Sequence, residues 1–126
     1  MSAARKILIV EDDEDQRELM RRSLARQGYD VTAASDGVEA YELALSLRPD
    51  LIVTDVYMPA ADGAHLVRRV RDTAELASTP ILVTTGYGTG SAALTLSQGA
   101  DAYEPKPVDP AALLATVRRL LSDGVD

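Results

Sequence analysis

Hydrophobic residues follow two alternating periods along this chain. Short apolar runs with strand character lie at ILIV (7–10), YDVTAA (29–34), LIVT (51–54), ILVT (81–84) and AYE (102–104). Three of them, 7–10, 51–54 and 81–84, are almost continuously apolar, as strands are in a parallel sheet covered on both faces. Helical spacing fills the intervals. The stretch 14–27 places Leu19, Met20, Ser23 and Leu24 on one face and stops at Gly28. The stretch 36–47 carries Val38, Tyr41, Ala44 and Leu45 behind Ser35 and Asp36 as cap, and 63–71 repeats Leu66, Val67 and Val70. A weaker helix is predicted over 91–98, after the glycine-rich GYGTG. The last, over 110–121, opens with Pro110 in the first helical position behind Asp109 as cap. Five strand–helix units in succession predict a doubly wound α/β domain, one unit spanning 1–126 with its core over about 5–121.

Composition narrows the class. The 126 residues suit one ordinary domain, and 46% apolar content is enough for one core. With no cysteine there are neither disulfides nor thiolate metal ligands. No apolar run is long enough to span a bilayer, and no signal-peptide pattern opens the chain, so a soluble cytoplasmic protein is expected. A net charge of −7 argues against direct nucleic-acid binding through a basic face. Five tyrosines without Trp or Phe make a base-stacking platform a poor fit.

In doubly wound sheets ligands bind beyond the carboxyl ends of the strands, which directs attention to the residues found there. The first strand ends in Glu11-Asp12, the third in Asp55, the fourth in Thr84-Thr85, and the fifth runs into Lys106. Brought together, these ends would line one cleft with three carboxylates, a hydroxyl and an ammonium. Oxygen donors without His or Cys suit a hard cation, and few carboxylates with room for water suit Mg²⁺. Asp13, Glu14 and Asp15 read better as an acidic helix start favoured by the dipole. Structural and functional readings weigh evenly for Glu11 and Asp12, whereas a charge closing the apolar run LIVT favours function for Asp55. His65 is expected at the surface without a role. Lys106 stands out, because Pro105 and Pro107 restrict the backbone on either side and aim its ammonium.

Together these residues resemble the receiver domain of bacterial two-component response regulators, of the chemotaxis-regulator kind. The resemblance runs from Lys6 to about Leu121 through KILIVEDDEDQREL (6–19), PDLIVTDVYMPAADG (49–63), PILVTTGYG (80–88) and GADAYEPKPV (99–108). It implies a flavodoxin-like, five-stranded parallel sheet of order 2-1-3-4-5 with five helices. It also implies a phosphoacceptor at Asp55 and an acidic pair at Glu11 and Asp12, with Asp12 favoured as the direct Mg²⁺ ligand. Asp55 and the backbone carbonyl of Tyr57 would complete the protein ligands. Thr85 matches the switch hydroxyl, Gly86 a phosphoryl-binding N–H, Lys106 the site lysine and Tyr103 the aromatic switch. The Lys106–Pro107 bond matches one that is usually cis. The implied partners are a histidine kinase or histidine phosphotransfer protein, and an output protein or fused output domain that the sequence does not identify. The resemblance implies neither a nucleic acid nor a membrane as direct partner. The chain would catalyse only its own phosphorylation and dephosphorylation.

Rival readings are a degenerate receiver acting as a binding module, an aspartyl-nucleophile Mg²⁺ phosphatase, and a flavin or nucleotide carrier. The phosphatase would want a second acid two residues beyond its nucleophile, where this chain has Tyr57. The carrier would want a phosphate-binding loop where this chain has EDDED. Only SDGVD follows Leu121, so the chain is read as a stand-alone receiver or a piece of a longer regulator. Three departures from the family pattern stand out: Gly86 in place of the commoner alanine, Val108 where phenylalanine is common, and the small and β-branched residues of 91–98. Glycines at 86, 88 and 90 add backbone freedom before that helix. The expected consequence is rapid amide hydrogen exchange across 88–96 in the free protein; strong protection there would contradict it.

Overall fold

The computed structural model describes residues 4–55, 63–85 and 99–122. Five parallel strands form its centre: β1 (Lys6–Val10), β2 (Asp30–Ala34), β3 (Leu51–Asp55), β4 (Ile81–Thr85) and β5 (Ala102–Pro105). Their order is β2-β1-β3-β4-β5, the order that the resemblance implies. Four α-helices are described: α1 (Glu14–Ala25), α2 (Gly37–Leu47), α3 (Gly63–Asp72) and α4 (Pro110–Ser122). The helix expected over 91–98 lies outside the described residues. A single 3₁₀ turn at Ala74–Leu76, not anticipated from the sequence, inserts Leu76 into the core. No described helix is long and apolar enough to cross a membrane.

Strand side chains alternate between faces, and that parity builds two cores. Leu8, Val10, Ile52, Ile81 and Val83 pack with Ala40, Ala44, Leu66, Val67 and Val70 of α2 and α3. Ile7, Ile9, Leu51, Val53 and Leu82 pack with Met20 and Leu24 of α1 and with Leu113, Val117, Leu120 and Leu121 of α4. All five residues of β3 are buried, as a strand covered on both faces must be. Val108, a departure from the family pattern, still packs against the second core.

Local chemistry sets the helix ends. Asp13 caps α1 by accepting from the Gln16 N–H at 2.9 Å. Gly28, with φ +94°, ends the connection that follows. Asp36 accepts from the Glu39 N–H at 2.8 Å, while the Glu39 carboxylate accepts from the Ser35 N–H at 2.8 Å, a reciprocal cap close to a capping box. Asp109 accepts from the Ala112 N–H at the start of α4. Two expected helix faces differ from the observed ones. On α1 only Met20 and Leu24 are buried, and Leu19 is 60% exposed beside a groove formed with Pro107, Val108 and Leu113. On α2 the buried stripe is Gly37, Ala40 and Ala44, leaving Val38 and Leu45 half exposed. Small residues let this helix lie close to the sheet, and Val38 and Leu45 fall roughly 120° around its axis from them.

One side chain ties the connections of the sheet's other end together. Arg71, near the end of α3, donates to the carbonyls of Gly99 (2.9 Å), Ala77 (3.2 Å) and Thr79 (2.7 Å) and to the Asp101 carboxylate (2.8 Å). The same Asp101 oxygen accepts from the Ile81 N–H at 2.8 Å, at the start of β4. Gly99 has φ +121°, and a Cβ there would lie 2.8 Å from the Arg71 Cγ. Gly28 has open space around its missing Cβ. Gly28→Ala is therefore a backbone effect of about 1 kcal/mol. Gly99→Ala should cost at least about 1 kcal/mol more, because four hydrogen bonds prevent Arg71 from swinging aside. Urea unfolding of both variants, with Gly99→Ala repeated in an Arg71→Ala background, measures this. The expected result is a smaller Gly99→Ala penalty once Arg71 is gone.

Candidate functional site

The carboxyl ends of β1, β3 and β5 converge. Glu11 extends β1 by one residue, its N–H donating to the Ala34 carbonyl at 3.1 Å, and its side chain is fully buried. Asp55 is the last residue of β3 and is also buried. Lys106 follows β5, and its bond to Pro107 is cis. Its ammonium donates to Glu11 Oε1 and to Asp55 Oδ2, each at 2.9 Å. These two bonds join residues 95 and 51 positions apart. Both are charge-assisted ion pairs that connect separate strand ends.

Asp12, exposed at the mouth, completes an acidic cluster. One carboxylate oxygen each from Glu11, Asp12 and Asp55 lies within 4.8 Å of the others. Three carboxylates against one ammonium leave two negative charges when all are ionised. Like charges at this spacing are stabilised by a cation. The donor set is oxygen only, with one edge open to solvent, which fits Mg²⁺ keeping several waters. Glu11, Asp12 and Asp55 are the described residues that would hold it.

Burial shapes the protonation of this group. Burial pushes the Glu11 carboxyl above its usual value. Hydrogen bonds from Lys106 and from the Asp13 N–H (3.2 Å) oppose that shift without cancelling it, and the nearby Asp55 charge adds to it. For Lys106, burial alone would lower the pKa. The bonds to Glu11 and Asp55 outweigh burial, so the ammonium is held above its usual value and stays charged.

The structure gathers four of the residues proposed from the sequence: Glu11, Asp12, Asp55 and Lys106. Thr85 closes β4, in register with Pro105. Tyr103, on β5, is 39% exposed. Tyr57 and Gly86 lie outside the described residues. His65 is exposed, as expected. Two neighbours were not singled out from the sequence, Thr84 being noted only as part of a strand end and Arg17 not at all. Thr84 pairs with Asp55 across β3 and β4, and its buried hydroxyl has no partner among the described residues. Arg17 donates to the Glu11 carbonyl at 2.9 Å. A basic residue one turn into an acidic helix start was the available signal for Arg17.

The chain is similar to known proteins over most of its length. The sequence profile of the response regulator receiver domain matches residues 7–118. Response regulator MprA of Mycobacterium ulcerans (strain Agy99) is 47% identical over 117 residues, covering 92% of this chain and 50% of that protein. MprA of Mycobacterium sp. (strain KMS) is 46% identical with the same coverage. The chain thus spans about half the length of the curated relatives it matches. Chemotaxis protein CheY4 of Vibrio cholerae superposes with TM-score 0.88 at 35% identity, covering 94% of this chain and 99% of that one. The receiver domain of sensor histidine kinase PA1611 from Pseudomonas aeruginosa PAO1 gives TM-score 0.89 at 30% identity, over 96% of this chain and 100% of that one. That structure has a magnesium ion coordinated in its active-site cleft.

The raised Glu11 pKa has a definite sign for stability. The folded state holds this proton more tightly than the unfolded chain does. Its contribution is therefore present below the usual glutamate value of 4.5 and lost as pH rises through the folded value. In metal-free buffer, urea unfolding of wild type and Glu11→Gln from about pH 4 to about pH 7 should show the wild type losing stability relative to the variant. A constant difference across that range would show that Glu11 titrates alike in both states.

Proposed function

The chain belongs to the response regulator receiver domain family of two-component signalling, and from that premise we propose that Asp55 is its phosphoacceptor. One observation carries the reading: a buried carboxylate at the end of a covered strand, held at 2.9 Å by an ammonium that also engages Glu11. The donor is a histidine kinase or a histidine phosphotransfer protein. An Asp55 oxygen forms the new O–P bond as the donor's N–P bond breaks. The departing imidazole nitrogen keeps the bonding pair and takes up a proton. Such transfer asks for in-line positioning and neutralised charge more than for covalent help from the protein.

The residues divide that work. Burial and the bond to Lys106 fix the orientation of Asp55. Lys106 faces the place where phosphoryl charge develops, and its two carboxylate partners already hold it there, so little reorganisation accompanies the reaction. Bound Mg²⁺ would supply charge neutralisation for phosphoryl oxygens at Glu11, Asp12, Asp55 and, by resemblance, the Tyr57 carbonyl. The Thr85 hydroxyl and Gly86 N–H bind a further oxygen in the same reading. The output is a population shift: Thr85 engages the phosphoryl group, the Tyr103 ring turns inward, and the face formed by 91–98, β5 and α4 changes for a partner. The partial exposure of Tyr103 supports that reading. The protein works in the cytoplasm, and its catalysis is confined to its own phosphorylation and dephosphorylation.

Intact-mass measurement after incubation with Mg²⁺ and acetyl phosphate tests the reading. We expect one phosphoryl adduct on the wild type, none on Asp55→Asn, and none after pretreatment with EDTA. The same protein offered its phosphorylated kinase covers a site that refuses small donors. An adduct that persists in Asp55→Asn, or no adduct from either donor, would overturn the assignment.

A further inference from the structure

Glu11 and Asp12 pose a geometric problem. Neighbouring residues of an extended strand point to opposite faces, yet these two carboxylates approach within 4.8 Å of each other. The chain must leave the strand at Glu11, and Asp13 is already the cap of α1. The whole change of direction therefore occupies Glu11, Asp12 and Asp13.

The hydrogen bonds of Glu11 show what fixes that turn. Its N–H still belongs to the sheet, donating to the Ala34 carbonyl at 3.1 Å. Its side chain accepts from Lys106 at 2.9 Å and from the Asp13 N–H at 3.2 Å. Its carbonyl, which leaves the ladder, accepts from Arg17 Nη1 at 2.9 Å. A buried carbonyl at a strand end requires a donor, and here the donor is charged, which makes the bond about twice as strong as a neutral one. Arg17 is half-buried, and α1 holds it in place through the Arg17 N–H bond to the Asp13 carbonyl at 2.9 Å. The turn is thus bounded by the sheet at one end and closed by Arg17 at the other. Arg21 and Arg22, on the same helix, engage the Glu18 carboxylate instead.

We propose that Arg17 is a positioning residue, whose guanidinium fixes the Glu11–Asp13 turn on which the acidic cleft is built. Its bearing on Mg²⁺ rests on the reading of that cleft as the metal site. Charge alone and positioning make opposite predictions. A guanidinium beside an acidic cleft repels a cation, so removing it on charge grounds tightens Mg²⁺ binding. Removing a residue that holds the ligands in place weakens it.

Two measurements on Arg17→Ala separate these effects, with Arg17→Gln as a partial rescue and Arg21→Ala as a control for charge lost from α1. The first, in metal-free buffer, is amide hydrogen exchange of Asp13, with Ile9 as the core reference. The second is Mg²⁺ titration followed by the amide shifts of 11–14. Arg17→Ala should speed Asp13 exchange and weaken Mg²⁺ binding by about tenfold, the size of effect typical for residues that orient metal ligands. Arg17→Gln, which keeps a donor without the charge, should recover part of both, and Arg21→Ala should change neither. Unchanged Asp13 exchange overturns the proposal, as does Mg²⁺ binding that is unchanged or tighter in Arg17→Ala. Should wild type ignore Mg²⁺ while Arg17→Ala still speeds exchange, the metal reading falls and the role of Arg17 in the turn stands.

Discussion

The ammonium of Lys106, 2.9 Å from both Glu11 and Asp55, is the contact on which the rest of the site depends. Two buried carboxylates at adjacent strand ends repel each other and lose hydration. A single cation placed between them makes the arrangement tenable. It also closes the sheet at its carboxyl edge, since β1, β3 and β5 are not all direct neighbours. Pro105 and Pro107 limit how far the segment carrying Lys106 can move. On the other flank the Thr116 hydroxyl donates to Glu104 at 2.6 Å and ties α4 to β5 just before the lysine.

Arginines close the connections in a similar way at opposite ends of the sheet. Arg17 satisfies a carbonyl where the chain leaves β1, and Arg71 satisfies three carbonyls around the entries to β4 and β5. Connections carry backbone groups that no ladder pairs, and a guanidinium offers several donors in a fixed plane. The consequences differ. Arg71 fixes chain paths remote from the carboxylates, whereas Arg17 acts one bond away from a proposed ligand.

Much of this was legible in the sequence because local rules and tertiary needs agree. Apolar runs bounded by acids gave the strands and located Glu11, Asp12 and Asp55. Asp36 and Asp109 announced their helices through side-chain capping, and the paired prolines singled out Lys106. What failed were judgements about breadth. Helical spacing placed Leu19, Val38 and Leu45 on buried faces, but α1 and α2 each bury a narrower stripe. Periodicity gives the direction of a face; its width depends on how closely the helix approaches the sheet, which Ala40 and Ala44 determine here. The 3₁₀ turn at Ala74–Leu76 escaped because three residues carry no period. Arg17 and Arg71 escaped because most of their partners are carbonyls, which every residue has, so that even a basic residue in an acidic helix start does not name its acceptor.

The charge balance explains why such a cleft would respond to its ligands. Excess negative charge, a buried carboxyl pushed toward protonation and a Thr84 hydroxyl without a partner among the described residues all disfavour the folded site by itself. A structure optimised only for stability would replace Glu11 or Asp55 with an apolar side chain of similar size. Retaining both means that an added cation relieves repulsion at the point where three strands end. Lys106 has three donors, and Glu11 and Asp55 engage two of them, so an oxygen joined to Asp55 meets an ammonium already in place. In the proposed reaction, that incoming oxygen takes the third donor of the same lysine. The bonds that make the resting site tenable thereby also hold the ammonium beside the carboxylate proposed to react.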